Sequence, residues 1–476
     1  MDALLQAMTQ DERYFDPIPG QKEVALRLYR EVAALPIVSP HSHVDAHLFA
    51  EDAPAPPSPV DFFVLSDHYL LRMLYSQGIP LEDLGVQPRL PTGRPVELDP
   101  RRAWQRFAEA FFLFRATPSG LWLGDELRYV FGEPEPPNAG NAQELYDRLS
   151  ARLASPDYSP RRLYERFGLE VLCTTDSATG PLEAHRDLRT SAWQGRILPT
   201  FRPDDVIDPA LPGWSERLER LGELTGMHVA SFRSLVEALG IRRQSFKELG
   251  ATATDQAMLV PYTCDFDPAE AEQLFQRALH SGLDEREQQR FGGMLLMESA
   301  RLSLDDGLVM QLHVGSYRNH NRWLFEHFGP DRGADIPLQV EFTRNLLPLL
   351  NRYGNDPRLR LILFTLDDSA YSRELAPLAG HYPALKLGPP WWFQDGLNGM
   401  RRYFDQVIDT AGLFNTVGFN DDARSLASIP VRHDLWRRAS CNWLAGLVVR
   451  QIVTEEEAAE MAHAMAYDLA KASYKL

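Results

Sequence analysis

The chain has 476 residues, 44% hydrophobic and 24% charged, enough to bury a large core in one big domain with insertions or in two to three smaller ones. Its 49 basic and 66 acidic residues give a formal net charge of −17, which argues against a nucleic-acid partner and an anionic membrane surface. An anionic substrate therefore has to be met by locally placed arginines. Three widely spaced cysteines, Cys173, Cys264 and Cys441, form neither a disulfide framework nor a cysteine-type zinc site and fit a reducing compartment. The first thirty residues carry no apolar signal-peptide core and no transmembrane run follows, so a cytoplasmic protein is expected.

In chain order, Gln21 to Leu35 reads as an amphipathic helix leading into the first strand. There Ile37 and Val38 enter a Ser-Pro turn, followed by His41-Ser42-His43. Residues two apart on an extended backbone point to one face, so His41 and His43 can reach one ion. Neutral imidazole is a common ligand for zinc and similar divalent ions. Residues 46–165 do not alternate strand with helix. Pro-rich turns at Ala53–Pro57 and Glu133–Pro137 separate aromatic-rich helical patterns such as Trp104 to Phe114, which reads as a mostly helical insertion over one end of the fold.

From about 168 short apolar runs recur, most followed by a helical segment: 169–176, 196–202, 258–263, 308–315, 359–365, 384–389 and 415–422. With the first strand they make eight. Apolar strands alternating with helices imply a parallel sheet covered on both faces. Eight of them imply an α/β fold of the (β/α)8 TIM-type barrel class, with its active site at the C-terminal strand ends. A doubly wound open sheet is the alternative, but no Gly-x-Gly-x-x-Gly turn follows any strand. The domain reading is 1–45 for the N-terminal helix and first strand, 46–165 for the insertion and 166–476 for the rest of the barrel, as one catalytic unit.

The strand ends offer His41 and His43, Asp176, Arg202, His313, Trp391 and Trp392, and Asp422 with Arg424. Two histidines plus one carboxylate, here Asp422, suit one divalent ion with open positions. Asp422 is also placed to take a proton from a metal-bound water. Bland readings stand beside these. Asp176 could cap the next helix, His313 could be a hydrogen-bonded core residue, and the tryptophans could roof the core. Pro203 holds Arg202 extended, and an arginine at a barrel mouth suits a carboxylate or phosphate, or an ion pair with a neighbour such as Asp204. Without a Gly-rich phosphate cradle, a carboxylate substrate is favoured.

Further matches run nearly end to end: Asp67-His68-Tyr69 with Arg72, Thr117-Pro118 with Trp122, Cys173-Thr174-Thr175-Asp176, and Leu198 to Asp204. Later come Gln311 to Gly315 with Arg318-Asn319, Trp391-Trp392-Phe393 with Asp395 and Gly399-Met400, Asp422-x-Arg424-Ser425, and Arg432-His433-Asp434 with Arg437-Arg438. In this order and spacing the chain resembles the uronate isomerase (glucuronate isomerase) family of the amidohydrolase superfamily. Three departures are visible. Ser39-Pro40 precedes the histidines, Leu70-Leu71 stands where Lys-Trp is usual, and Asn420-Asp421 stands where Leu-Thr is typical.

The resemblance implies an aldose–ketose isomerase that converts D-glucuronate to D-fructuronate, or D-galacturonate to D-tagaturonate, through a cis-enediol. It implies one divalent metal ion, zinc by preference, on His41, His43 and Asp422. Asp422 would be the base, Tyr69 or Arg424 would serve the carbonyl oxygen, and His313 is a further catalytic candidate. Arg202 with His68 would grip the substrate, in a pocket with Arg424, Trp391 and Trp392. The partner is a small-molecule hexuronate, with a homo-oligomer left open. A metal-dependent hydrolase on the same barrel is the alternative. It is disfavoured because Tyr262-Thr263-Cys264-Asp265, taken as the fourth strand end, lacks a lysine to bridge a second ion. A non-catalytic sugar-acid binder has no use for the metal triad.

Overall fold

A computed structural model of the protein describes residues 3–52 and 58–476, so the Pro-rich turn read at 53–57 lies outside the described residues. The first strand, Ile37–Ser39, pairs in parallel with the second, Leu169–Cys173. The third comes in two pieces, Ile197–Leu198 and Phe201–Arg202, against the second strand and its extension Asp176–Ser177. Pro199 stands between the pieces and has no N–H to give to a ladder. The fourth (Ala253–Met258), fifth (Val309–Val314), sixth (Leu361–Thr365) and seventh (Leu385–Leu387) follow, all parallel.

The eighth position, 416–422, is not the regular strand the sequence suggests. Only Thr416 bridges Leu387 in ladder geometry. Gly418, at φ +74°, turns the backbone out of the extended range. The segment is nonetheless tied on both sides. Val417 N donates to Leu387 O at 3.0 Å, Asp422 N to His41 O at 3.2 Å, and His43 N to Ala423 O at 2.8 Å. These bonds close the ring of eight into a (β/α)8 barrel.

The fourth strand also differs from expectation: it lies at 253–258, ahead of the 258–263 run. Ala253-Thr254-Asp255-Gln256 carries no apolar run because of what each face meets. Ala253 joins the interior cluster with Val309 and Ile362, Asp255 is buried against His313, and Gln256 Nε2 bonds Ser299 of the helix Glu285–Asp306 at 3.0 Å. The fifth strand shows the ordinary alternation. Val309 faces the interior, while Met310, Leu312 and Val314 pack outward against helices.

Between the first two strands the described residues contribute helices and no strand. Asp67, Asp99 and Thr117 cap His68–Ser76, Pro100–Ala110 and Pro118–Asp125, the last two with proline in the first turn. Trp104 and Phe107 are wholly buried in the apolar cluster beneath them, and Trp104 Nε1 donates to Ala142 O at 2.9 Å. No helix among the described residues is long and apolar enough to cross a membrane. All three cysteines are buried and free.

The helix Ser428–Val449 is buried almost all round and carries charge into the core. Arg438, 1% exposed, bonds the Asp434 carboxylate at 2.6 Å, the Met8 and Asp11 carbonyls at 2.6 Å each, and the Tyr29 hydroxyl at 3.0 Å. The guanidinium thus fastens the N-terminal helices to the barrel. Removing one partner of a buried pair leaves the other charge uncompensated. Arg438→Ala is therefore expected to lower unfolding stability by about 3–5 kcal/mol, read as a reduced urea midpoint.

Candidate active site

The strand ends converge as a closed barrel requires. His41 Nε2 and His43 Nε2 lie 3.4 and 3.1 Å from Asp422 Oδ1, while Trp391 Nε1 donates to Asp422 Oδ2 at 3.0 Å. Asp422 has φ +47°, in the left-handed region that aspartate tolerates better than most residues. That turn is how one residue can donate its N–H to the first strand and also aim its carboxylate at the histidines. Trp392 follows Trp391 at φ +55°, a true outlier for a bulky side chain, held by stacking on Phe393 and by the His68 ring 5.1 Å away.

His313, from the fifth strand, stacks on His41 with ring centroids 4.6 Å apart. Its Nδ1 meets Asp255 Oδ1 at 2.6 Å, and Arg202 bridges Asp255 at 3.3 Å and Asp204 at 2.7 Å. Asp255 is the residue that sequence reasoning missed. The displaced fourth strand hid it, and the polar alternation of 253–256 was the available signal. His41, His43 and Asp422 place ligand atoms within 4.8 Å of one another, and so do His41, Asp255 and His313. Asp422 Oδ1 and His313 Nε2 are buried without a hydrogen-bond partner. Such orphans are costly unless something meets them, and imidazole plus carboxylate is a donor set that divalent ions accept. These residues fit a metal ion.

The other expected residues divide. His68, Tyr69, Trp391, Trp392, Arg202 and Arg424 line the same cleft, about 860 Å³ of space between atoms. Arg424 pairs with Asp331 at 3.3 Å, and Arg202 makes the ion pair with Asp204 that was its bland reading. Asp176 is not part of the cleft. It accepts from the Thr174 hydroxyl at 2.6 Å and caps no helix. Arg318, Glu126 and Arg432 line the cleft as well, with no role foreseen for them. The Arg432 guanidinium sits 3.8 Å from the centre of the Trp122 ring and donates to Asp395 Oδ2 at 3.0 Å.

Charge in the cleft is set by burial and by neighbours. The Asp422 carboxyl is desolvated, yet His41 and His43 hold it well below the usual carboxylate range. Burial lowers the pKa of His43, whereas on His41 the Asp422 and Asp255 carboxylates outweigh burial and raise it. Burial, reinforced by Arg424, drops His68 to about 3, so its imidazole is neutral at ordinary pH. Both of its ring nitrogens are buried without partners. Burial, with Asp67 close by, pushes Glu126 up to about 8, which makes it a neutral acid. Burial also raises the Tyr69 phenol, which stays an O–H donor.

Over nearly its whole length the chain is similar to known proteins. The family model described as glucuronate isomerase matches residues 16–474. A uronate isomerase of Nostoc punctiforme is 54% identical over 98% of each chain, and one of Rhizorhabdus wittichii 50% identical over the same shares. The crystal structure of glucuronate isomerase from Caulobacter crescentus superposes with a TM-score of 0.95 at 45% identity, covering 98% of this chain and 96% of that one. A uronate isomerase from Thermotoga maritima gives 0.89 at 28% identity, covering 95% and 97%.

Glu126 supplies a pH test. Its folded pKa, about 8, lies above the 4.5 of a glutamate in the unfolded chain, so between these the folded state holds a proton that the unfolded chain has released. Stability from this group is complete below pH 4.5 and is lost as pH rises through 8. Glu126→Gln cannot lose that proton. The wild type is expected to weaken relative to the variant between pH 5 and 8, read from denaturant midpoints at several pH values.

Proposed function

The chain belongs to the glucuronate isomerase family, and on that premise we propose how its cleft carries out the reaction. The enzyme is a uronate isomerase of the amidohydrolase type, interconverting an aldohexuronate and a ketohexuronate. Its substrate is a sugar acid. D-glucuronate and D-galacturonate are the pair that the resemblance and the cationic cleft support. The observation that carries the reading is the meeting of His41, His43 and Asp422 at the floor of a cleft ringed by Arg202, Arg318 and Arg424.

The reaction moves one proton between C1 and C2 and one between their oxygens. His41, His43 and Asp422 would hold one divalent ion, zinc in our assignment, with His313 beside them. That ion supplies Lewis acidity and a template for the substrate oxygens. Trp391 fixes one oxygen of Asp422 and leaves Oδ1 beside His41 and His43. Asp422 takes the C2 proton while Tyr69 gives its hydroxyl proton to the carbonyl oxygen at C1, which Arg424 could assist by a hydrogen bond. The resulting cis-enediol collapses to the ketone when Asp422 returns the proton to C1 and the C2 hydroxyl passes its own to the Tyr69 oxygen, which restores the phenol.

Arg202, Arg318 and Arg424, three of the four cleft arginines, supply the counter-charge for the substrate carboxylate. His68, neutral and unpartnered on both nitrogens, is suited to sugar hydroxyls. Asp255 holds His313 through Nδ1 and leaves Nε2 toward the cleft. We read residues 46–165 as the roof that brings His68, Tyr69 and Glu126 over the barrel mouth and excludes water. The free cysteines support a reducing, cytoplasmic setting.

Proton NMR of D-glucuronate and D-galacturonate in heavy water, with metal-loaded enzyme, should show a ketouronate forming from at least one of them. Chelation should abolish turnover and zinc should restore it. Asp422→Asn should lower kcat by about 10²–10⁴ while the protein stays folded by circular dichroism. No turnover of either sugar by folded, metal-loaded protein, or an Asp422→Asn enzyme of full activity, overturns the assignment.

A further inference from the structure

Below the catalytic layer, inside the barrel, sits a polar group the reaction does not use. Tyr474 belongs to the helix Leu469–Tyr474, is 0% exposed, and lies in the interior cluster with Ala253, Val309, Ile362 and Val417. Its hydroxyl accepts a hydrogen from Asn420 Nδ2 at 2.6 Å and donates to Gln311 Oε1 at 2.9 Å. Gln311 Nε2 in turn donates to Thr254 O at 3.3 Å. One line of hydrogen bonds thus crosses the barrel from its eighth segment to its fifth and fourth strands.

Each station on that line adjoins a residue of the site. Asn420 precedes Asp422 by two, Gln311 precedes His313 by two, and Thr254 precedes Asp255. Along an extended strand, residues two apart share a face, so Gln311 forms the layer beneath His313. The helix and the turn Ala464–Asp468 just before it also press on the eighth segment itself. A Cβ at Gly418 would stand 3.1 Å from Ala470 N and 3.3 Å from Met465 O. Burying a phenol costs free energy unless its hydroxyl is bonded, and a phenylalanine could fill the same space.

We propose that Tyr474 is a positioning residue: its hydroxyl, by tying Asn420 to Gln311, sets the spacing of Asp422 against His313. The claim deepens the isomerase reading and rests on it, since Asp422 and His313 matter through that chemistry. The test compares wild type, Tyr474→Phe, Asn420→Leu and the double variant, all metal-loaded and assayed well below their melting temperatures. Tyr474→Phe should lower kcat about ten-fold with KM within about two-fold. Loss of bound zinc to a chelator should become several-fold faster. Asn420→Leu should act alike, and the double variant should be no worse than the poorer single one, because both break the same link.

A Tyr474→Phe enzyme that melts earlier but keeps the wild-type kcat and zinc-release rate would make the hydroxyl a core contact only and overturn the proposal. Losses that multiply in the double variant would do the same. If the wild type isomerises neither uronate, the functional reading fails, while the zinc-release rates still decide whether Tyr474 positions Asp422 and His313.

Discussion

The site depends on a short piece of backbone pairing. Where the first strand ends, His43 N donates to Ala423 O, and Asp422 N donates to His41 O. These bonds join segments 381 positions apart, the separation of Ser42 from Ala423. They bring two histidines from the start of the barrel to a carboxylate from its end. The geometry follows from closure. A parallel barrel has its strand ends at one mouth, and the last strand must lie beside the first. Asp422 then needs the left-handed backbone conformation to pair by N–H and still face His41 and His43.

Much of this was legible in the sequence because it rests on local pattern. His41-x-His43 after a β-branched run, Asp422 and Arg424 after the last apolar run, and Trp391-Trp392 all fall in the cleft. What was not legible depends on neighbours far away in the chain. Asp255 lies on a strand whose inner face takes an acid and a small residue and whose outer face takes Gln256, so no apolar run marks it. The eighth segment reads as a strand, yet Gly418 bends it and only Thr416 pairs regularly. The acid at Glu126 and the arginine at Arg432 look like ordinary helix residues until the roof folds over the mouth.

The electrostatics reconcile a net charge of −17 with an acidic substrate. Four arginines line the cleft, Arg202, Arg318, Arg424 and Arg432, and each is met by a carboxylate. Asp255 and Asp204 are paired with Arg202, Asp335 with Arg318, Asp331 with Arg424 and Asp395 with Arg432, and Glu126 is neutralised by its own burial. The long-range field of the protein is screened within about 8–10 Å at ordinary salt. Local arrangement around these cations therefore decides what binds.

The three buried thiols have a use unconnected with catalysis. Cys173 lies on the second strand, Cys264 beyond the fourth, and Cys441 inside the helix Ser428–Val449, so they sample three distinct parts of the molecule. Burial raises the pKa of each, which disfavours the reactive thiolate further. A thiol reagent can then modify each one only when its own region opens. The rates at which the three are labelled would chart local unfolding across the barrel, using reporters that the native chain already carries.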